Sequence, residues 1–288
     1  MRYQIRHALS YQYDRPVGLD THILRLRPRC DSTQSLHAFS LEVKPGAIAQ
    51  SKTVELDGSS ALHLRFDDSE TPNFTVEALS EVKTHRVNPF DFLLKEWAAQ
   101  LPIDYPTTLY TQLSPYLSRH CLTLTPATDP VVTELAQEIL HATEGNTVGF
   151  LSELNQRIYN TCRHVIRETG APLPPALTWG KQMGSCRDFT VLFMEACRAV
   201  GLAARFVSGY HEGDSSVTQQ HLHAWAEVYL PGAGWRGYDP TLGLAVGDRH
   251  IGLTASFFPN QTSPVSGLLK PGFAASSTLS YRLSVNKL

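Results

Sequence analysis

The 288-residue chain has no apolar run approaching the about 20 residues needed to cross a bilayer. Nor does it carry an excess of one charge: 25 Lys and Arg stand against 27 Asp and Glu, a formal net charge of -2 with a sequence pI of about 6.6. That balance removes the electrostatic reason to expect nucleic acid or a membrane surface as a partner. Paired cysteines are missing as well. Cys30, Cys121, Cys162, Cys186 and Cys197 are odd in number and scattered, with no Cys-x-x-Cys. This argues against a disulfide framework or a zinc site and for a reducing compartment. The first residues, Met1 to His7, enter an alternating pattern directly, without the apolar stretch of a signal peptide, so a cytoplasmic location is expected. What is present, 42% hydrophobic and 18% charged residues, suits a globular protein with length enough for two domains.

Residues 1–88 read as an antiparallel β-sandwich domain. Tyr3 to His7 and Ser10 to Tyr13 alternate, and Asp14-Arg15-Pro16 then reads as a turn. Further strands are expected over 23–28, 36–43, 52–56, 60–66 and 74–82. Arg25, Arg27 and Arg29 fall on one face of the first of these, which reads as a solvated face. Residues 89–129 form a connecting segment, broken at Pro89, Pro102, Pro106, Pro115 and Pro126, with a short helix over 90–100. Residues 130–288 form the third unit. Asp129-Pro130 caps a helix running to His141, and apolar spacing predicts a second helix over 148–166. Strands are expected over 203–210, 220–230, 234–239 and 279–285.

The chain is organised around Gly184-Ser185-Cys186-Arg187-Asp188-Phe189. A small-residue turn precedes the cysteine, and Phe189, Val191, Leu192, Phe193, Ala196, Cys197 and Val200 then recur at helical spacing until Gly201. A cysteine on the first turn sits at the positive end of the helix dipole, beside amides without partners, and both favour the nucleophilic thiolate. Taken alone, a buried cysteine opening a helix is ordinary packing. Cys197, about 16 Å further along the same helix at 1.5 Å per residue, cannot pair with it and is expected to be core.

A thiol nucleophile needs a base, and the base needs an orienting group. His221-Leu222-His223-Ala224-Trp225-Ala226-Glu227-Val228 places two histidines on a strand. Period two turns Leu222, Ala224, Ala226 and Val228 to the core, and His221, His223, Trp225 and Glu227 to the other face, without choosing between the histidines. Pro240 holds Asp239 extended at a strand end. If that strand returns as a hairpin, Asp239 lies alongside His223 and can accept its imidazole proton.

In this order Gly-Ser-Cys186-Arg-Asp-Phe, Arg205-Phe-Val-Ser-Gly-Tyr210, His223-Ala-Trp-Ala-Glu-Val and Tyr238-Asp-Pro-Thr241 resemble the transglutaminase-like superfamily, in particular its bacterial branch of transglutaminase-like cysteine proteases. Tyr3-x-Ile-x-His7, Tyr11-x-Tyr-Asp-Arg-Pro-Val17 and Leu24-Arg-Leu-Arg-Pro-Arg29 resemble the N-terminal domain of that branch. The resemblance implies an α+β papain-like core, with the cysteine helix packed on an antiparallel sheet, and a triad of Cys186, His223 and Asp239. Ser185, Asp188, His221 and Trp225 are then expected in the substrate and oxyanion neighbourhood: Asp188 as helix cap, His221 as a substrate contact. The Cys186 amide is the obvious oxyanion donor, and no second donor can be named. Relatives in this branch often carry Gly-Arg-Asp-Tyr after the aspartate motif, whereas this chain has Thr254-Ala-Ser-Phe-Phe-Pro-Asn260. No Asp-rich loop offers the spacing for calcium that animal transglutaminases use, so neither a metal nor another cofactor is expected.

The reading is a cysteine-dependent amide or peptide hydrolase working through a thioester, its partner a peptide or protein substrate. An amine co-substrate in place of water would make it a protein-glutamine amine transferase. A non-catalytic binding module on the same fold is the alternative from another class. An arylamine N-acetyltransferase is disfavoured, because that family is helical ahead of its cysteine.

Overall fold

The computed structural model describes residues 1–118, 129–167, 169–213 and 220–288. Its N-terminal region is built on one long strand, β1 (Arg2–Leu24). Over its first half, β1 pairs antiparallel with β5 (Glu70–Thr84) on one side and β14 (Ser277–Lys287) on the other; near its end it pairs with β4 (Ser60–Arg65) and β13 (Val265–Leu269). The edges are β2 (Gln34–Lys44) on β5 and β3 (Ala49–Val54) on β4. The expected turn at Asp14-Arg15-Pro16 is instead a bulge within a continuous strand, where pairing with β5 shifts between Gln12 and Val17. A bulge tolerates the missing amide proton of Pro16 without ending the strand. Because β1 serves both sheets, it closes them over Leu9, Val17, Leu24, Leu64, Phe66, Phe74 and Val76. A groove of about 850 Å³ remains between them, lined by Leu24, Phe39, Leu41, Ile48 and Leu62 among others.

The arginines of this region are not a solvated row. Arg25 is buried against Glu55, with N–O distances of 2.7 to 3.0 Å, and Arg29 reaches Glu227 at 2.7 Å; only Arg27 is exposed, lying over the Phe39 ring. Strand β1 ends at Leu24, so alternation no longer governs where these side chains point.

The second region packs helices on an antiparallel sheet. Its strands are β8 (Ala204–His211), β9 (His223–Leu230), β10 (Gly234–Asp239), β11 (Leu244–Ala245) and β12 (His250–Ser256), in the order β11-β10-β9-β8-β12. Helix α1 (Thr107–Leu117) runs through the break expected at Pro115, and α2 (Pro130–Ala142) starts where expected, with the Asp129 carboxylate accepting from the Val131 amide at 3.0 Å. With α3 (Thr147–Thr161), α4 (Pro175–Lys181) and the sheet it surrounds α5 (Cys186–Ala199), which is buried from Asp188 to Ala199. Phe189, Leu192, Phe193, Ala196 and Cys197 of α5 meet Ala224, Ala226 and Val228 of β9 in one core.

Three expectations need correction. The helix over 90–100 is only a 3₁₀ turn, Glu96–Ala98. The helix over 148–166 stops at Thr161, because Cys162 turns extended and β6 (Arg163–His164) pairs in parallel with β7 (Met183–Gly184). The amides of Arg163 and Val165 donate to the carbonyls of Gln182 and Gly184 at 2.8 and 2.9 Å, a tertiary ladder that outweighs local helical periodicity. Finally β13 and β14, grouped by sequence order with residues 130–288, add their backbone bonds to β1 of the N-terminal sheets. The expected break at Thr125-Pro126, and Cys121, lie outside the described residues.

Candidate active site

Cys186 is the first residue of α5, half-buried, and its position is set by a fully buried carboxylate two residues on. Asp188 Oδ2 accepts from the Ser185 amide at 2.7 Å and the Ser185 hydroxyl at 2.8 Å; Oδ1 accepts from the Leu173 amide and from Arg167 Nη2, both at 2.7 Å. Asp188 is thus the expected helix cap, closing a capping box with Ser185, and it also ties the turn before the nucleophile to the loop leading into α4. Ser185 is held within this cap, so its hydroxyl faces Asp188. Gly184 has no room for a side chain, since a Cβ there would lie 2.9 Å from the Asp188 Cβ and 3.0 Å from Cε1 of Phe189.

His223 opens β9, and β10 runs back beside it in the hairpin register Tyr238↔Ala226. Asp239 is fully buried at the end of β10, and its Oδ2 lies 2.6 Å from His223 Nε2. This leaves Nδ1 of the same ring for the Cys186 sulfur, with which His223 hydrogen-bonds. Oδ1 of Asp239 accepts from the amides of Thr241 and Leu242 at 2.9 and 3.2 Å. Burial alone would raise the Asp239 carboxyl; the His223 and His250 contacts overcome it and hold the group far below the usual carboxylate range.

Burial pushes the Cys186 thiol up, but hydrogen bonds to His164 and His223 and the imidazole charges outweigh it and bring it down to about 6. Burial likewise opposes charge on His223, yet the Asp239 carboxylate and the thiolate raise it to about 10. A thiolate–imidazolium pair therefore spans the interval between these values, titrating as a coupled unit. Iodoacetamide labelling of Cys186 should accordingly rise with pH through about 6, well below the roughly 8.5 of an ordinary cysteine. Mass spectrometry across a pH series reads this directly, and labelling that begins only near the ordinary value would refute the ion pair.

His250 is the neighbour that alternation could not supply. It opens β12 two strands away and brings Nε2 to 3.1 Å from the same Asp239 oxygen. Facing an anion, Nε2 carries the proton, while Nδ1 is buried without a partner among the described residues. His211 stands 4.6 Å away, centroid to centroid, and Trp225 5.3 Å. Burial keeps the His250 imidazole neutral, and it lowers His211 to about 3. Among the described residues, one group has metal-ligand geometry: His223, Asp239 and His250, with one atom of each within 4.8 Å of the others. Those atoms already engage one another through the Asp239 carboxylate.

His221 is not part of this constellation. Strand β9 begins only at His223, so the alternation expected to bring both histidines to one side does not reach His221; its Nδ1 bonds the Tyr281 hydroxyl of β14. Trp225 lies beneath His223 with ring centroids 6.3 Å apart, buried and with its indole N–H unpartnered among the described residues. His164 was missed because it fell inside an expected helix. Released onto β6 opposite Gly184, it hydrogen-bonds the Cys186 sulfur and sets its ring edge-on to Phe189 at 6.2 Å.

Residues 133–240 match the transglutaminase-like superfamily profile, and residues 3–83 the bacterial transglutaminase-like N-terminal region. An uncharacterized protein of Mycobacterium tuberculosis is 27% identical over 267 residues, 87% of this chain and 82% of the relative. A protein-glutamine gamma-glutamyltransferase of Pseudomonas aeruginosa is 31% identical over 84 residues, 27% of this chain but 13% of that enzyme. Among solved structures, a Cytophaga hutchinsonii protein provisionally described as a cysteine protease shares the fold, with a TM-score of 0.72 and 20% identity over 100% of this chain and 91% of that one.

Proposed function

Because the chain belongs to the transglutaminase-like superfamily, which includes cysteine peptidases and transglutaminases, we propose that it is a cysteine-dependent amide or peptide hydrolase acting through a thioester at Cys186. The observation that carries the reading is a thiol contacting an imidazole whose far nitrogen is held at 2.6 Å by a buried carboxylate. Four hydrogen bonds at most fill a carboxylate's lone pairs, and Asp239 has them all: two imidazoles on one oxygen, two amides on the other. Such a group cannot swing away and orients His223 in one tautomer.

In the proposed cycle the Cys186 thiolate attacks the scissile carbonyl carbon. A C–S bond forms as the carbonyl π pair moves to oxygen, and the amide of Cys186, at the helix start without an intrahelical acceptor, receives that charge. Collapse breaks the C–N bond; the His223 imidazolium gives its proton to the departing amine and, now neutral, takes one from the water that hydrolyses the thioester. Among the described residues, Cys30, Cys162, Cys186 and Cys197 are free thiols.

Water and amine compete for the same acyl-enzyme, so the partition is measurable. Casein incubated with the protein and a fluorescent primary amine is expected to yield new peptide N-termini dependent on Cys186, with little amine incorporated. Dominant incorporation at glutamine would make it an amine transferase. The absence of either, with Cys186 unreactive, would turn the reading towards a binding module.

A further inference from the structure

We propose that the groove of the N-terminal region binds an extended, acidic segment of another polypeptide, which adds to β3 as a further strand. None of the groove's lining residues belongs to the catalytic constellation, and nothing in its binding depends on the chemistry at Cys186. The strand order β2-β5-β1-β4-β3 leaves β2 and β3 as free edges among the described residues, and side chains of both line the groove. All six residues of β3 are exposed. Its ladder to β4 has the register Val54↔Ser60, and the Glu55 amide continues it, donating to the Ser59 carbonyl at 2.8 Å. Residues bonded to the partner alternate along an antiparallel pair, so the backbone groups of Ser51 and Thr53 point to β4. Those of Gln50, Lys52 and Val54 point away from it and have no partner among the described residues.

The groove beside this edge selects the strand's chemistry. Leu24 of β1 lies opposite Leu62 of β4, and Leu62 opposite Lys52 of β3. Directly opposed residues point to the same face, so Lys52 is turned towards the groove with these leucines. The other cation lining it, Arg27, lies 5.4 Å over the Phe39 ring. No aspartate or glutamate lines the groove, and neither cation has a carboxylate partner among the described residues. Ile48 and Val54, which also line it, are 62% and 76% exposed. An incoming strand with a carboxylate opposite Lys52 and apolar side chains two residues to either side pairs the free charge and covers this apolar surface. Its backbone meanwhile takes up the outward amides and carbonyls of β3. An acyl chain could use the aliphatic wall but would leave those backbone groups to water. A second copy of β3 is disfavoured, because a lysine in the middle of an edge would face its own counterpart.

The probe is fluorescein-labelled Val-Thr-Glu-Thr-Val-Thr, the length of β3, with lysine in place of glutamate as its control. Anisotropy is read on the full chain carrying Cys186→Ala, so that no probe is consumed. Saturable binding of the acidic probe is expected, with the basic control weaker by about tenfold. Lys52→Glu should reverse that order. Val54→Pro, which removes an outward amide and leaves the ladder to β4 intact, should weaken the acidic probe by about tenfold. Lys52→Glu, at an exposed position, decides the matter by itself if the proline unfolds the strand. No saturation up to about 1 mM, equal affinity for the two probes, or an order that Lys52→Glu leaves unchanged overturns the proposal. Palmitate binding in place of the probe would give the groove to an acyl chain, and self-association of the wild type abolished by Val54→Pro would give the edge to a second copy; either overturns it too. None of these outcomes bears on the thioester reading, which is tested at Cys186.

Discussion

Cys186→Ala is expected to abolish acyl-enzyme formation and to lower turnover of a validated peptide substrate by on the order of 10⁶-fold, with His223→Ala close behind and Asp239→Asn nearer to about 10⁴-fold, by analogy with hydrolase triads of this logic. The ordering follows from what each group touches. Without the thiol there is no covalent step. Without His223 the thiol loses the larger of its two imidazole charges and the leaving amine loses its proton donor, so labelling of Cys186 should retreat towards the ordinary cysteine range. Asn at 239 still accepts a hydrogen bond from Nε2 but no longer supplies the charge that raises His223. The ion pair then weakens from the histidine side. A Cys186→Ala/His223→Ala double variant should be no slower than Cys186→Ala alone, since the residues act as a unit. Steady-state rates for the four proteins decide the matter: a Cys186→Ala protein that still turns over substrate would remove covalent catalysis from consideration.

How much of this was legible in the sequence divides by physical origin. Features fixed by local chemistry read well: the Asp129-Pro130 helix start, the return of Asp239 beside His223, and the cysteine opening a helix. Features set by distant backbone did not. Residues 148–166 carry a helical apolar pattern, but β7 offers hydrogen bonds that periodicity cannot register, and so His164 was hidden. The sandwich and core were readable as β and α+β patterns, yet nothing local in residues 265–287 reveals that their pairing partner is β1, more than two hundred residues earlier. His250 lies in Gly247-Asp248-Arg249-His250, where no spacing marks it, and it is recruited only because β12 adds to β8 at the sheet edge. The face of β9 carrying Trp225 and Glu227 read only as the one opposite the core. It is buried too, beneath residues of the N-terminal region.

That buried face makes a second large effect predictable. Glu227→Ala is expected to cost about 3–5 kcal/mol of stability, because it strands two guanidinium groups away from water. Arg29, from the N-terminal region, reaches the Glu227 carboxylate with Nη2 at 2.7 Å and Nη1 at 3.2 Å; Arg205 of β8 reaches it with Nε at 2.8 Å and Nη2 at 2.6 Å. Side-chain exposure is 10% for each arginine and 5% for the glutamate, so solvent cannot replace the lost partner. Arg205 also lies 4.1 Å over the Trp235 ring and 3.7 Å from Asp57, which in turn accepts from the Tyr116 hydroxyl at 2.6 Å. The carboxylate is therefore the centre of a junction between the N-terminal region and the strand that carries His223. Burial opposes its ionisation, but the two arginines hold it far below the usual glutamate range. A depressed folded-state pKa stabilises the protein above the unfolded value of about 4.3 and ceases to do so as pH falls through the folded one. Glu227→Gln, which keeps the shape without the charge, should lose stability at neutral pH and show a flatter decline in acid than the wild type. Urea titrations at pH 7 and in steps below pH 4.5 test both halves of the argument; a Glu227→Ala midpoint within about 1 kcal/mol of wild type would mean that the arginines find water or new partners when the carboxylate is gone.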